Sequence, residues 1–300
     1  MFKHLVLALL VAAGPAGSAW GVSFGSAHVL VVDEASGAVL LEKDAATAAP
    51  IASLTKLMTA MVVLDAGQDL GALVRIDDAD RDTLKFSRGG VPVGTELSRE
   101  SLLALALVAS DNHAAAALAR TYPGGTTAFA EATRRKIDAL GLTQTILVEP
   151  TGLSPDNHAS AQDMVKLLQA TQAYPLIAQT TSQRTHALQV NGQTRAVRNT
   201  NPLVGKPGWD VLVSKTGFTN EAGRCLTMRL RAGGRTVSVV LIGALASSAR
   251  ALDALNIRRW LDGEAPLRRT ERTAQRAPVP TRQPRPAAVV GEGPAGPPEV

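Results

Sequence analysis

A lone cysteine, Cys225, in a chain of 300 residues rules out an internal disulfide, so stability has to come from packing and not from covalent staples. With 45% hydrophobic residues the chain can build one large core, or two lobes folded as a unit. Cys225 sits in Arg224-Cys225-Leu226-Thr227-Met228, an apolar strand-like run with no histidine motif paired to it, which predicts a buried, inert thiol and no cysteine nucleophile. Metal-ligand spacing is also lacking. His28, His113, His158 and His186 form no His-x-x-x-His pattern, so no metal and no other cofactor is expected. The acidic residues Asp77, Asp78, Asp80 and Asp82 read as a solvated turn. Charge of one sign is weak as well. The net charge is +5, but Lys3 lies in the leader, and the segment from Glu264 onward carries six Arg against four Glu. The folded part is left at about +2, too little for a nucleic-acid surface.

No segment after the N-terminus reaches the ~20 apolar residues of a membrane-spanning helix. The start itself is different. Met1-Phe2-Lys3-His4, an apolar run from Leu5 to Ala13 and the small residues Gly17-Ser18-Ala19 describe a secretory signal peptide over 1–19. The competing reading is a retained anchor. A signal peptide implies export, and a periplasmic location is expected. At the other end, residues 264–300 are rich in Pro and Arg and cannot bury enough apolar surface to offset their ordering entropy, so they read as a disordered tail behind a domain spanning 20–263.

Within that domain, Ala27 to Asp33 and Gly37 to Leu41 flank a turn and predict a hairpin. From Ile51 the spacing of Leu54, Leu57, Met58, Met61 and Val62 predicts a buried helix. Ser98 caps a second helix running to Val108, an alanine-rich helix covers His113 to Ala119, and another spans Gln162 to Thr171. Period-two patterning returns at Asp210 and continues through Ile242 as a meander, followed by an amphipathic helix from Ala249 to Leu261. Strands at both ends with helices between them predict an α+β fold: an antiparallel sheet flanked by helices, with an inserted, mostly helical lobe.

Three short strings carry the chemistry: Ser53-Leu54-Thr55-Lys56, Ser110-Asp111-Asn112 and Lys215-Thr216-Gly217, about 57 and then 105 residues apart. Each alone has an ordinary structural explanation. Together, in this order, they read as Ser-x-x-Lys, Ser-x-Asn and Lys-Thr-Gly, a serine acyl-transfer set. Ser53 and Lys56 are one helical turn apart, so both project from one face and the amine can serve as base to the hydroxyl. Lys56 must then be neutral, which burial and a nearby cation, Lys215, would favour. Ser110 would relay a proton to the leaving amine. Asn112 would bind the substrate backbone or Lys56, and Lys215 and Thr216 would hold a carboxylate. Gly217 would clear the strand edge for a substrate strand, and the backbone N–H groups of Ser53 and Phe218 would form an oxyanion hole.

At these residues the chain resembles low-molecular-mass penicillin-binding proteins of the D-alanyl-D-alanine peptidase family, and most closely the D-alanyl-D-alanine endopeptidases. The resemblance extends to Pro50 through Met61, Glu149-Pro150-Thr151-Gly152-Leu153-Ser154, Arg198-Asn199-Thr200-Asn201 and Lys215 through Asn220. It implies a β-lactamase/DD-peptidase-like fold, peptidoglycan stem peptides as substrate and β-lactams as covalent inhibitors that acylate Ser53. The chain departs from relatives that trim pentapeptides, which carry a β-rich domain and an amphipathic anchor after the catalytic domain.

The alternatives follow from the same motifs. D-alanyl-D-alanine carboxypeptidases carry all three. A class A β-lactamase also does, but needs a separate carboxylate for its deacylating water; Glu149 is the one tempting candidate, and Pro150-Thr151-Gly152 does not match the lactamase Glu-x-x-Leu-Asn loop. A non-catalytic wall-binding protein would be expected to have lost Ser53 or Lys56, and neither is lost. Arg198 reads equally as a surface arginine or as added positive potential beside Lys215.

Overall fold

The computed structural model describes residues 23–190 and 193–267. The expected signal peptide, and the tail after Leu267, lie outside the described residues. The first strands, β1 (His28–Asp33) and β2 (Val39–Lys43), form the expected hairpin. A short β3 (Ala49–Pro50) leads into a single 3-10 turn, Ala52–Thr55, and then α1 (Lys56–Asp65). The predicted helix thus begins later than Ile51. Ser53 lies in the tighter turn ahead of it, where Ala52 adopts a positive φ of 47°. α1 is buried on nearly every side, which makes it the central helix and not a surface one.

The helical lobe follows. β4 (Leu73–Arg75) and β5 (Glu96–Ser98) pair beside it. α2 (Arg99–Val108) starts at Ser98, whose hydroxyl accepts from the Ser101 amide at 3.1 Å, as the sequence predicts. α3 (Asn112–Arg120) starts at Asp111, which accepts from the Ala114 amide at 2.7 Å. α4 (Gly125–Ala139) escapes sequence reading because its buried stripe is only Phe129, Thr133 and Ile137, every fourth residue on an otherwise polar helix. After β6 (His158–Ala159) come α5 (Ala161–Ala170), α6 (Pro175–Thr181) and the hairpin β7 (Thr185–Val190) and β8 (Gln193–Arg198).

The chain then returns to the sheet as β9 (Asp210–Thr219), β10 (Gly223–Ala232) and β11 (Arg235–Ala244), and the last helix among the described residues is α7 (Ser247–Leu261). The five strands lie in the order β2-β1-β11-β10-β9, all antiparallel neighbours. Alternation along β1 shows how both faces are covered. Leu30 and Val32 join the core around α1 and α5, whereas Val29 and Val31 join a second core with Ala254 and Ile257 of α7. β9 is an edge strand, and its middle holds Lys215-Thr216-Gly217. That edge faces the 3-10 turn. A Cβ on Gly217 would lie 2.9 Å from the Ile51 carbonyl oxygen and 3.1 Å from the Ser53 nitrogen.

Only part of the expected solvated turn is seen, since Asp77 and Asp78 are exposed and Asp80 is not. Asp77 and Asp80 cap a short 3-10 helix reciprocally, and the buried Asp80 carboxylate takes two hydrogen bonds from Arg120, both 2.8 Å. Asp82 is buried too. Cys225 is buried, as the sequence predicts, and burial pushes its thiol up to about 11.

Candidate active site

All three motifs converge on one cleft between the helical lobe and the sheet edge. The 3-10 turn presents Ser53, and the first residue of α1, Lys56, reaches up beside it. Lys56 Nζ lies 3.0 Å from Ser53 Oγ and 2.7 Å from both Asn112 Oδ1 and the Thr151 carbonyl oxygen. On the opposite wall, Lys215 Nζ lies 2.8 Å from Ser110 Oγ and 3.0 Å from the Thr216 carbonyl oxygen. The turn Ser110–Asn112 therefore offers one side chain to each lysine. It does so because Ser110 takes a positive φ of 61°, which breaks α2 from α3, while Asp111 points away to cap α3 and to accept from the Gly90 amide.

Both lysines are buried to 1% exposure. Burial is the main cause that pushes the Lys56 ammonium down to about 8, against the opposing pull of Glu149, Asp111 and Asp82. Lys215 is driven well below the ordinary lysine range, again first by burial, then by the charges of Lys56 and Arg250. An amine near 8 can be neutral at working pH, and its contact with Ser53 then runs the other way, with the hydroxyl donating.

Loops hold these groups in place. The Glu149 carboxylate accepts from the amides of Thr151 (2.6 Å), Gly152 (2.6 Å) and Ser154 (3.3 Å), from the Thr151 hydroxyl (2.5 Å) and from Asn157 Nδ2 (3.0 Å). It shapes the loop that aims the Thr151 carbonyl at Lys56. A carboxylate so fully engaged is not placed to activate water, which removes the one candidate for lactamase-type deacylation. Asn112 Nδ2 donates to Ser87 Oγ at 2.7 Å, and Ser87 Oγ donates to Asp82 at 2.6 Å. Lys85 of the same loop meets Glu221, in the turn after β9, at 2.5 Å.

Thr216 Oγ1 lies 2.7 Å from Thr200 Oγ1, a partner that sequence reading did not single out although the string holding it was noted. Arg198 ends β8 exposed, while Asn199 and Asn201 fold the turn that delivers Thr200: Asn199 Nδ2 donates to the Thr181 carbonyl at 2.9 Å and Asn201 Nδ2 to Ser214 Oγ at 2.8 Å. Phe218 is half-exposed, with the Arg224 guanidinium 3.5 Å from its ring centroid. The missing side chain of Gly217 makes room for the Ser53 turn.

The family model described as D-alanyl-D-alanine carboxypeptidase matches residues 17–246, a span that contains the whole cleft. The chain belongs to this peptidase family. It is 41% identical over 267 residues to a D-alanyl-D-alanine endopeptidase of Pseudomonas aeruginosa, covering 87% of this chain and 86% of that one. An Escherichia coli protein of the same name is 40% identical over 239 residues, covering 79% of this chain and 77% of its own. Among solved structures, a variant of a Streptomyces DD-transpeptidase superposes with a TM-score of 0.74 at 25% identity, over 81% of this chain and 99% of that one. A D-alanyl-D-alanine carboxypeptidase from Mycobacterium tuberculosis superposes at 0.70 with 29% identity, over 78% and 88%. The expected fold class stands, and the chain is a serine-type peptidase of the penicillin-binding fold. Among the described residues, no helix is long and apolar enough to cross a membrane.

Proposed function

We propose that this peptidase is a DD-endopeptidase of the periplasm, cutting D-alanyl crosslinks between peptidoglycan stem peptides through an acyl-enzyme on Ser53. The observation that carries the reading is the 3.0 Å contact between Ser53 Oγ and an Lys56 amine shifted down to about 8 by burial. Neutral Lys56 takes the Ser53 proton as Oγ bonds to the carbonyl carbon. The oxyanion faces the Ser53 and Phe218 amides, each such donor contributing ~3 kcal/mol to the transition state. As the C–N bond breaks, the proton that Lys56 took from Ser53 passes by way of Ser110, held by Lys215, to the leaving amine, and Lys56 is neutral again. Water then attacks the ester, giving up its proton to Lys56, which returns it to Ser53 Oγ as the ester bond breaks. Lys215 and Thr216, with Thr200 behind Thr216, supply positive potential and a hydroxyl for the carboxylate next to the leaving amine. β-Lactams acylate Ser53 as mimics of the same amide.

Preference for crosslinks rests on the two relatives at 40 and 41% identity, both named endopeptidase. The second reading, a carboxypeptidase, is favoured by the family description and by a Bacillus subtilis carboxypeptidase at 31% identity over 222 residues. Incubation with crosslinked muropeptide dimers and with monomeric pentapeptides separates them. Faster splitting of dimers supports the endopeptidase; much faster release of D-alanine from pentapeptides replaces it with the carboxypeptidase.

A further inference from the structure

The catalytic motifs leave one part of the cleft unexplained, the loop that follows the short 3-10 helix at 78–80. Its centre is Asp82. This buried carboxylate accepts from the amides of Leu84 (2.8 Å), Lys85 (2.9 Å) and Ser87 (2.9 Å), and from the Ser87 hydroxyl (2.6 Å). The loop is thus wound around a single side chain, and the Ser87 proton is committed to it. With that proton spoken for, Ser87 Oγ has only lone pairs left to offer. It accepts from Asn112 Nδ2 at 2.7 Å, which leaves Asn112 Oδ1 facing Lys56, also at 2.7 Å.

We infer that Ser87 is a positioning residue for the Lys56 base: held by Asp82, it locks the Asn112 amide in the one orientation that presents an acceptor to the amine. The flipped amide is opposed at both ends. Its Nδ2 would meet the donors of the Lys56 ammonium, and its Oδ1 would meet a serine whose proton is already given away. None of the three sequence motifs contains Ser87 or Asp82. The inference rests on the proposed role of Lys56, and it adds a separate fourth component that acts through Asn112 and touches no reacting atom.

Lys56 touches Ser53 from the 3-10 turn, Asn112 at the start of α3 and the Thr151 carbonyl, and it feels the charges of Asp111, Glu149, Asp82 of this loop and Lys215 from β9 without touching them. An acceptor on the amine favours its charged form. Loss of the lock therefore lowers the affinity of Lys56 for its proton and also disorders the Asn112 contact.

The test is the second-order rate of Ser53 acylation by benzylpenicillin between pH 6 and 10 for wild type, Ser87→Ala and Ser87→Thr, with thermal melts in parallel. Ser87→Cys, close in shape but a weak donor and acceptor, replaces Ser87→Ala should that variant not fold. Wild-type acylation tests the proposed function by itself; the difference between variants tests Ser87. We expect the plateau rate to fall about tenfold or more without the hydroxyl, the acid limb to move to lower pH, and threonine to restore both. A folded Ser87→Ala or Ser87→Cys enzyme with an unmoved acid limb overturns the inference, as does threonine failing as badly as alanine.

Discussion

Gly152 and Ala52 are packed so closely that a Cβ on Gly152 would lie 1.9 Å from the Ala52 carbonyl oxygen. Gly152 has φ +81°, and the same phantom Cβ would lie 2.9 Å from the Ser53 nitrogen. The Glu149 loop is therefore pressed against the turn that carries Ser53, and neither side can yield without moving it. Gly152→Ala should reduce benzylpenicillin acylation at least 100-fold, since misplacement by ~1 Å is enough for that, and should lower the melting temperature. Wild-type acylation by this variant would show that the turn is held by something else.

The two lysines should fail differently. Arginine at Lys56 cannot lose a proton at working pH, so Lys56→Arg should abolish acylation, a loss of ~10³-fold or more. Lys215→Arg fixes a charge beside Ser110, where burial pushes the native amine well below the ordinary lysine range, and should weaken acylation by roughly 10- to 100-fold. Equal losses would refute the division between base and cation. Mass spectrometry after benzylpenicillin treatment should place the adduct on the peptide containing Ser53.

Acylation should climb with pH. The base works when neutral, so with Lys56 shifted to about 8 the rate should reach half its plateau near that pH and fall about tenfold per unit well below it. Stability follows the same sign. The folded state has released the Lys56 proton by about 8, whereas an unfolded lysine holds it to ~10.4, so unfolding takes up a proton in between and the protein gains stability as pH rises through that window. Melting curves at pH 8 and pH 10 in matched salt check this against Lys56→Met, in which the Lys56 part of the gain should vanish.

The end of the domain can be located the same way. Asn256 donates to the Leu267 carbonyl at 3.0 Å and accepts its amide at 2.8 Å, and Arg259 donates to the Ala265 carbonyl at 2.8 Å. The four residues after Gly263 are thus tied back to α7, beyond the boundary expected from composition. Truncation after Leu267 should leave turnover of soluble muropeptide dimers unchanged. Truncation after Gly263 removes these bonds, at about 1 kcal/mol each, and should lower the melting temperature by several degrees. Loss of activity in the longer truncate would make the tail structural.

Much of this site was legible because its chemistry sits in contiguous strings. Ser53 and Lys56 share one turn, Ser110 and Asn112 another, and Lys215 and Thr216 a strand whose period is plain. The supporting residues were not legible for the opposite reason. Thr200 and Ser87 reach the site through contacts with Thr216 and Asn112, 16 and 25 residues away in sequence, and carry no pattern of their own. Asp82 stands among three other aspartates, and composition alone reads such a group as solvated. Only its burial and the four bonds it accepts reveal that the loop is wound around it. α4 was hidden by its own polarity, since one residue in four is enough to dock it.

The solitary thiol has a practical use. Cys225 is fully buried, and its shift to about 11 leaves almost no thiolate at neutral pH. Maleimide reagents should therefore pass the native protein by, and the wild-type chain is already a background for site-specific probes. Cysteines introduced at Lys85 and Glu221, whose charged ends now touch at 2.5 Å, would be the only reactive thiols on the molecule. A spin label or fluorophore pair there would report, in solution, whether the distance between the loop bearing Ser87 and the turn after β9 changes when a peptide substrate is added.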